Sequence, residues 1–517
     1  MFTYLLASTM KFWIKEIKSH TLVYLLLAVI LVGAFFVRVY RTEALLRFYF
    51  DQGRDALVIW KLWHEGKPFL IGPVTGLAGI FLGPFYYYLI APFYLLGGGN
   101  PIYPAAFLAF LVTCAIAVTY YLGWQMQSRM TGLIAAAIAG FSYYMVLAGR
   151  WLANPTPIFL TSVLLLFAMW KLVEEKTKYT KVWWLVIAAL IGVSLHFEAA
   201  SAVFYIPMVL VFYVYMFFTD KSSLLDRKTL VLALAFFGLT LLPQIVFNFR
   251  HENLLFNNFA KVLIEERSFR SPFSSYNLIK KRDFFWDVFS SKIFPGPVKY
   301  ANLYYYASII GLLLALKKIS KAASLLVVFI GVPMVGYIFF QGNYGNIYDY
   351  YLTGYYLPMI LLFSIGFGYI WKSLIGKVII ILFFISFLRL SLTLDKNLIM
   401  AGVDGPTHIT MGNQLQAVDW IILDANGSEF NVDVYVPPVI PYAYDYLFLW
   451  QTTSRCPKDK CGLVTDRPLP TLYILYEVDP PHPERLSAWL SKYENSTRIE
   501  VEQKFGGIIV QRRIRMK

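Results

Sequence analysis

Residues 79–98, GIFLGPFYYYLIAPFYLLGG, decide how the rest of the chain is laid out. The stretch is long and apolar enough to cross a bilayer, which takes about 20 residues. Two features argue that it does not cross. Pro84 and Pro92 break it, and Phe81, Phe85, Tyr86, Tyr87 and Tyr88 crowd its first half. Aromatic-rich, proline-broken segments belong at the membrane interface or in a re-entrant position. If 79–98 counted as a span, every later loop would be inverted against its lysines. Residues 40–103 are therefore expected to form one large outer loop, part of it dipping into lipid.

Working outward, eleven stretches read as membrane helices: 21–39, 104–123, 132–148, 157–173, 183–197, 202–219, 229–248, 301–316, 322–340, 352–370 and 377–394. With the N-terminus inside, the inner loops collect Arg129, then Lys171, Lys176, Lys178 and Lys181, then Lys221, Arg227 and Lys228. Lys317, Lys318 and Lys321 follow, and then Lys372 and Lys377. The short outer loops hold almost no cations, only Arg150 in one, with Glu198 and Asp349 in others. This alternation orients the chain, because lysine and arginine stay on the cytoplasmic side. Arg38, Arg41 and Arg47 oppose the rule, but they open a long loop, and long loops translocate regardless of charge. The first apolar run follows Lys11, Lys15 and Lys18 and lacks a small-residue cleavage site, so it reads as a retained helix.

Composition agrees. The chain is 58% hydrophobic and 15% charged, with a mean hydropathy of +0.57, whereas soluble proteins carry about 25% charged residues. A net charge of +15 would suit nucleic acid, but the cations lie mostly in the short inner loops, so no nucleic-acid partner is expected. The fold class is an all-α polytopic membrane protein of about eleven helices, N-terminus in and C-terminus out. It has a large first outer loop and a small C-terminal α/β domain outside the membrane. Residues 1–394 form the membrane domain, with a second outer loop over 249–300, and 395–517 form the outer domain. Within that tail, 431–436 and 471–476 alternate as strands do, and Gln414–Leu423 and Pro483–Tyr493 carry a helical pattern. Cys114 lies in an apolar span. Cys456 and Cys461 cannot close a zinc site without other ligands, and a small disulfide loop suits them if the tail faces an oxidising compartment.

The polar residues that stand out gather at outer helix ends. They are Asp51, Arg54 and Asp55; Arg150 and Asn154; His196 and Glu198; Arg250 and His251; and Asp349 with Tyr350 and Tyr351. Ionisable groups scattered through the spans would suggest an ion path. Charges on one rim beside a wall of aromatics suggest a surface site for a lipid-borne polar head.

The run Asp51-Gln52-Gly53-Arg54, right after the first helix, resembles the Asp-Glu-x-Arg opening of the GT-C class. These are multi-spanning glycosyltransferases that use polyprenyl-phosphate sugars. They include the protein O-mannosyltransferases and the aminoarabinose transferases of lipid A (glycosyltransferase family 39-like). Gly66-Lys67-Pro68 and Gly83-Pro84-Phe85-Tyr86-Tyr87-Tyr88 answer to the family's following segments, and Arg150 and Asn154 to its second outer motif. Gln52 stands where the family has Glu, and Asn154 where it has Asp. The resemblance is good over the first 250 residues and weak in the tail.

It implies inverting transfer of a hexose or pentose from a polyprenyl-phosphate donor to a lipid, glycan or protein acceptor. The setting would be the outer face of a prokaryotic plasma membrane. Asp51 would serve as general base. Arg250, then Arg54 and Arg150, with His196 or His251, would meet the donor phosphate. Asp55, Asn154, Glu198, Asp349 and Tyr350 would line the substrate. No P-loop or glycine-rich dinucleotide motif is present, and no carboxylate spacing demands a divalent ion, so no cofactor is assigned. Two other classes fit the lipid setting. A transporter or flippase would be expected to show repeat symmetry and mid-membrane charges, and neither is visible. A glycan polymerase or ligase would place its basic loop later and leave Asp51 dispensable.

Overall fold

The computed structural model describes all residues except 1, 78, 175–178, 221–222, 266–274, 341–346, 404, 438–439, 456–461 and 517. The Cys456–Cys461 pairing lies outside the described residues.

Among the described residues, seven helices are long and apolar enough to span a membrane: Thr21–Val39, Ile102–Met126, Thr180–Phe197, Ala199–Thr219, Ala301–Phe339, Asp349–Ile370 and Leu374–Ile399. Two more pass as bent pairs, Arg129–Phe141 with Tyr143–Gly149 at 65° and Arg227–Thr240 with Leu242–Arg250 at 60°. The first bend falls where Ser142 adopts extended backbone, and the second where Pro243 follows Leu241. Counting each pair once gives up to nine spans, against the eleven expected.

Two features account for the difference. Ile158–Glu174 is helical over 17 residues, just under the ordinary span length. The 42-residue stretch Val298–Phe339 is not one rod. Its backbone leaves helical geometry at Ile319 (φ −116°, ψ 21°). Adjacent residues of helix Ser275–Ile293 touch both of its ends: Trp286 packs on Tyr305 at 5.2 Å and Phe285 on Tyr337 at 6.3 Å. A straight helix would hold those two tyrosines about 48 Å apart at ~1.5 Å per residue. The stretch is therefore a hairpin. Its first arm lies close on helix Tyr356–Ile370, where a Cβ on Gly366 would fall 2.1 Å from the Ser308 carbonyl.

Lipid-facing surface is plain on the first helix, where Leu22, Val29 and Val32 are 62–70% exposed. Cross-loop contacts join residues expected on the same side. Glu16 pairs with Arg129 at 2.6 Å and Lys181 with Asp226 at 3.0 Å. On the other side, Lys292 pairs with Asp349 and Arg150 binds the Tyr40 carbonyl.

The deciding stretch contains only a 12-residue helix, Phe85–Leu96. That is about 18 Å long, short of the ~30 Å hydrocarbon core. Val74 and Phe81 bridge as a short antiparallel turn before it. Its buried face, Tyr86, Tyr87, Ile90, Ala91 and Tyr94, joins one core with helix Phe50–Glu65 and with the tail. The 249–300 segment is largely helical, over Leu254–Ala260 and Ser275–Ile293.

The tail forms a five-stranded mixed sheet in the order β2-β1-β3-β5-β4. The strands are β1 (Glu429–Tyr435), β2 (Gly462–Leu463), β3 (Thr471–Glu477), β4 (Thr497–Phe505) and β5 (Ile508–Arg515). β1 runs parallel to β2 and β3, and β5 antiparallel to β3 and β4. β3 alternates as a strand buried on both faces. Leu472, Ile474 and Tyr476 pack toward helix Pro483–Glu494, while Tyr473 and Leu475 pack toward helices Met411–Ala425 and Tyr442–Arg455. Two strands and two helices of this domain stand close to where the sequence pattern places them. Helix Tyr442–Arg455 and the hairpin β4–β5 were not foreseen. The last long apolar helix runs to Ile399, past residue 394, before the C-terminal sheet begins.

Candidate active site

Asp51 to Asp55 form the first turns of helix Phe50–Glu65. The helix is capped by Gln52, whose Oε1 accepts the Tyr49 amide at 3.0 Å. The Gln52 side-chain amide then donates to the Leu152 carbonyl at 3.1 Å. An ionised glutamate has no donor for that second bond, so the glutamine here ties the first loop to the 150–154 strip. Gly53 permits the other close approach. A Cβ there would sit 2.3 Å from the backbone of Tyr442 and Ala443. Phe50 packs on Tyr442 at 5.0 Å, Trp60 on Tyr446 at 6.1 Å, and Trp450 donates to the Gly98 carbonyl at 2.7 Å. The tail thus clamps the helix that carries the charged cluster.

The three charges play unequal parts. Arg54 reaches Asp51 Oδ1 at 2.9 Å, and its Nε and second terminal nitrogen meet Asp55 Oδ1 at 3.0 and 2.8 Å. The Tyr87 hydroxyl donates to the same Asp55 oxygen at 2.9 Å. Burial raises the Asp55 carboxyl to about 6, with Arg54 and Tyr87 pulling against it. Burial alone would lower Arg54, but Asp55, Tyr87 and Asp51 outweigh it and hold the guanidinium firmly charged. The side chain of Asp55 is 6% exposed and that of Asp51 is 59% exposed. Asp51 is the exposed carboxylate of the two, and Asp55 is a fixed anchor for Arg54.

The 150–154 strip links this cluster to the far side of the site. Arg150 donates to the Val37 and Tyr40 carbonyls at 2.7 and 3.1 Å and so ties down the end of the first helix. Trp151 meets the Tyr350 ring at 5.8 Å. Asn154 donates to the Phe197 carbonyl at 2.6 Å. His196 is occupied at both nitrogens: Nε2 faces the Thr240 carbonyl at 2.8 Å and Nδ1 the Phe85 amide at 3.3 Å. That pattern requires the neutral tautomer with the proton on Nε2, and it makes His196 a pin between three segments. Glu198 caps a short turn by accepting the Ala200 amide at 3.1 Å. Burial pushes its carboxyl up to about 8, offset in part by that amide.

Beyond Tyr350 lies Asp349, 60% exposed at the side chain, with Lys292 behind it at 3.4 Å. Lys292 is 5% exposed. Its ammonium sits 5.2 Å from the Tyr144 ring and 4.8 Å from the Tyr356 ring. Burial lowers its pKa and Asp349 partly restores it. The neighbouring turns of its helix, with Phe285, Trp286, Phe289, Ser290 and Ile293, line a cavity of about 690 Å³ that is almost wholly apolar.

Sequence reasoning missed Lys292. A lysine three residues before Pro295-Gly296-Pro297 carries no motif, and the Tyr144 and Tyr356 rings beside it come from distant parts of the chain. Arg250 and His251, by contrast, do not join the others. Both are exposed. His251 stacks on Phe247 at 4.0 Å, and no ion pair reaches Arg250 among the described residues. Among those residues no three His, Cys, Asp or Glu gather as a metal set.

Residues 82–247 match the family model described as dolichyl-phosphate-mannose-protein mannosyltransferase. No curated relative matches the chain. Over its length the fold is similar to that of ArnT from Cupriavidus metallidurans bound to undecaprenyl phosphate. That match has a TM-score of 0.59 and 12% identity, covering 95% of this chain and 98% of that one. The apo state of the same protein gives 0.60 and 12%, covering 96% and 98%. The archaeal oligosaccharyltransferase AglB from Archaeoglobus fulgidus, in complex with an inhibitory peptide and a dolichol-phosphate, gives 0.51 and 10%, covering 89% and 70%. The resemblance read from the first loop is borne out: this is the fold of those membrane glycosyltransferases.

Proposed function

We propose that the chain is an integral membrane glycosyltransferase that moves one sugar from a polyprenyl-phosphate donor to an acceptor, with inversion. The observation that carries this reading is the split between Asp51 and Lys292. An exposed carboxylate and a buried, under-compensated cation stand on opposite sides of the 150–154 strip, the cation beside an apolar cavity. Asp51 takes the proton from the acceptor hydroxyl or amine as it attacks the anomeric carbon. The bond from that carbon to the phosphate oxygen breaks on the opposite face. Lys292 holds the phosphate and stabilises the charge that grows on it, while Arg54 stays with Asp51 and Asp55 on the attacking face. The cavity of about 690 Å³ takes part of the isoprenoid tail.

The topology follows the lysines: eleven spans, counting the two arms of 298–339 and Ile158–Glu174, with the N-terminus in and the site on the outer face of a prokaryotic plasma membrane. Residues 395–517 act as an outer domain docked on the first loop. The same-side contacts of Glu16 with Arg129 and of Lys292 with Asp349 support that arrangement.

The test is release of polyprenyl phosphate from labelled lipid-phosphate sugars by the purified chain in nanodiscs. Release by the wild type and its loss in Asp51→Asn are expected. Full activity in that variant overturns the general-base assignment, and no transfer from any such donor overturns the enzyme class.

A further inference from the structure

The N-terminal helix Phe2–Ser19 takes no part in the candidate site. Between it and the span Thr21–Val39 stands His20, whose φ of −134° and ψ of 41° leave helical geometry. The two helices do not form one rod. The Tyr24 ring meets Tyr120 at 6.3 Å, while Trp13 meets Tyr121 at 6.2 Å and Trp124 at 5.9 Å. A straight helix would hold Trp13 and Tyr24 about 16 Å apart along its axis, at ~1.5 Å per residue. Their partners on Ile102–Met126 are about 2–6 Å apart on the same measure. The chain therefore turns at His20 and carries Phe2–Ser19 sideways against the end of that span. Glu16 holds the turn by accepting the Tyr24 hydroxyl at 3.2 Å and Arg129 Nε at 2.8 Å.

From Lys11 onward the side chains sort into two faces. Trp13, Glu16 and Ile17 share one through their three- and four-residue spacing, and Lys11, Lys15 and Lys18 share the opposite one in the same way. All three lysines are exposed, and no carboxylate pairs with them among the described residues. Like charges at this spacing repel along a helix, so anions in front of them would stabilise it. Phe12 and Ile14 flank the inward face and are 55% and 49% exposed. The apolar surface continues onto the span, where Leu22 and Leu25 are 68% and 59% exposed.

We propose that Phe2–Ser19 lies in the plane of one membrane leaflet and binds anionic phospholipid headgroups through Lys11, Lys15 and Lys18. A helix with lysines on one face and large apolar side chains on the other seats at the boundary between headgroups and acyl chains. The lysine stems lie along that boundary and their ammonium groups reach the phosphates. Lipid is the occupant, rather than a soluble acidic partner, for two reasons. Trp13 rests on the aromatic end of a span, and the exposed flank is continuous with lipid-facing surface. The pairing of Glu16 with Arg129 sets the helix on the side of the inner loops. In the topology proposed above that is the cytoplasmic leaflet, whose anionic lipids attract basic segments beside a span. The binding does not depend on the transfer reaction.

The test titrates the full-length chain, in neutral detergent, with short-chain phosphatidylglycerol and phosphatidylcholine. The anionic lipid should bind about tenfold or more tighter, as three lysines near a headgroup layer imply, and salt should weaken it. The triple variant Lys11→Gln, Lys15→Gln, Lys18→Gln should lose the preference. The matching variant at the hairpin turn, Lys317→Gln, Lys318→Gln, Lys321→Gln, should keep it. A preference that survives the first variant, or falls equally in both, overturns the site. Amide hydrogen exchange over residues 2–19 should slow in nanodiscs containing phosphatidylglycerol relative to phosphatidylcholine alone. Equal exchange in the two overturns the in-plane seat and returns the lysines to solvent or to a soluble acidic partner. Neither readout involves sugar transfer, so failure of the transfer reading is told apart from failure of this one.

Discussion

The two acid–base pairs of the site are built with opposite polarity. On the first-loop helix the acid is sealed and the base is nearly so: the Asp55 side chain is 6% exposed and that of Arg54 is 16%. Across the strip the cation is sealed and the acid is open: the Lys292 side chain is 6% exposed and that of Asp349 is 60%. Three donors converge on one oxygen of Asp55, whereas Lys292 has a single carboxylate at 3.4 Å and two ring faces. The first pair is complete as it stands and serves to present Asp51. The second is looser, with one carboxylate at 3.4 Å and ring faces around the ammonium.

The largest effect expected on this comparison is from Asp51→Asn. Transfer should fall by about 10²–10⁴-fold, the usual contribution of a general base, with folded yield unchanged. Asp349→Asn, its counterpart in exposure, should cost less than a tenth of that loss in the same polyprenyl-phosphate release assay. Equal losses would erase the distinction between the two exposed acids. Lys292→Met should come next, lowering kcat/KM for the lipid donor by about 10²-fold, as for other groups that stabilise developing charge. Arg250→Ala should change kcat/KM by less than about threefold, as expected for a solvated surface charge. A larger loss for Arg250 than for Lys292 would return the phosphate to the outer rim.

Gly53→Ala tests the clamp rather than the chemistry. Its Cβ would meet the Tyr442–Ala443 backbone at 2.3 Å, so the tail must shift. Overpacking of this kind costs about 1–3 kcal/mol. A lowered Tm and faster proteolysis between the sheet and the membrane helices should report it.

The smallest effect concerns pH. The Asp55 carboxyl stands at about 6 in the folded chain, above its ordinary 3.8. The folded state therefore holds its proton more tightly than the unfolded state. The stability that this proton brings is full below about pH 4 and is lost as pH rises through about 6. Tyr87→Phe removes a donor that favours the ionised form, so it should move that midpoint to higher pH. Thermal unfolding followed from pH 4 to 8 would show the shift. A midpoint that moves downward would mean that Tyr87 does not stabilise the carboxylate.

What could be read ahead of the structure follows from how local each signal is. Spans, lysine alternation and the period-two runs of β1 and β3 are written in neighbouring residues. The first-loop cluster was legible because three charges stand directly after an apolar run. Helix Tyr442–Arg455 was not, because its aromatic sequence acquires meaning only against Phe48, Trp60 and Gly53, far away in the chain. Lys292 was invisible for the same reason: the Tyr144 and Tyr356 rings that pack on it are far away in the chain. Arg150 and His196 carried the right residue types at the right rim. Yet Val37, Tyr40, Thr240 and Phe85 engage them, contacts that no sequence spacing encodes.

The contact of Gly53 with Tyr442 has a consequence for the order in which the protein comes into being. Some 390 residues separate the two. At a ribosomal pace of about 5–20 residues per second, the first-loop helix waits roughly 20–80 seconds before its partner is made. During that interval the helix lacks the Tyr442 and Tyr446 rings that pack on Phe50 and Trp60 in the finished fold. Synthesis thus keeps its own clock, and the translation of Tyr442 and Ala443 is the event the early helix waits for.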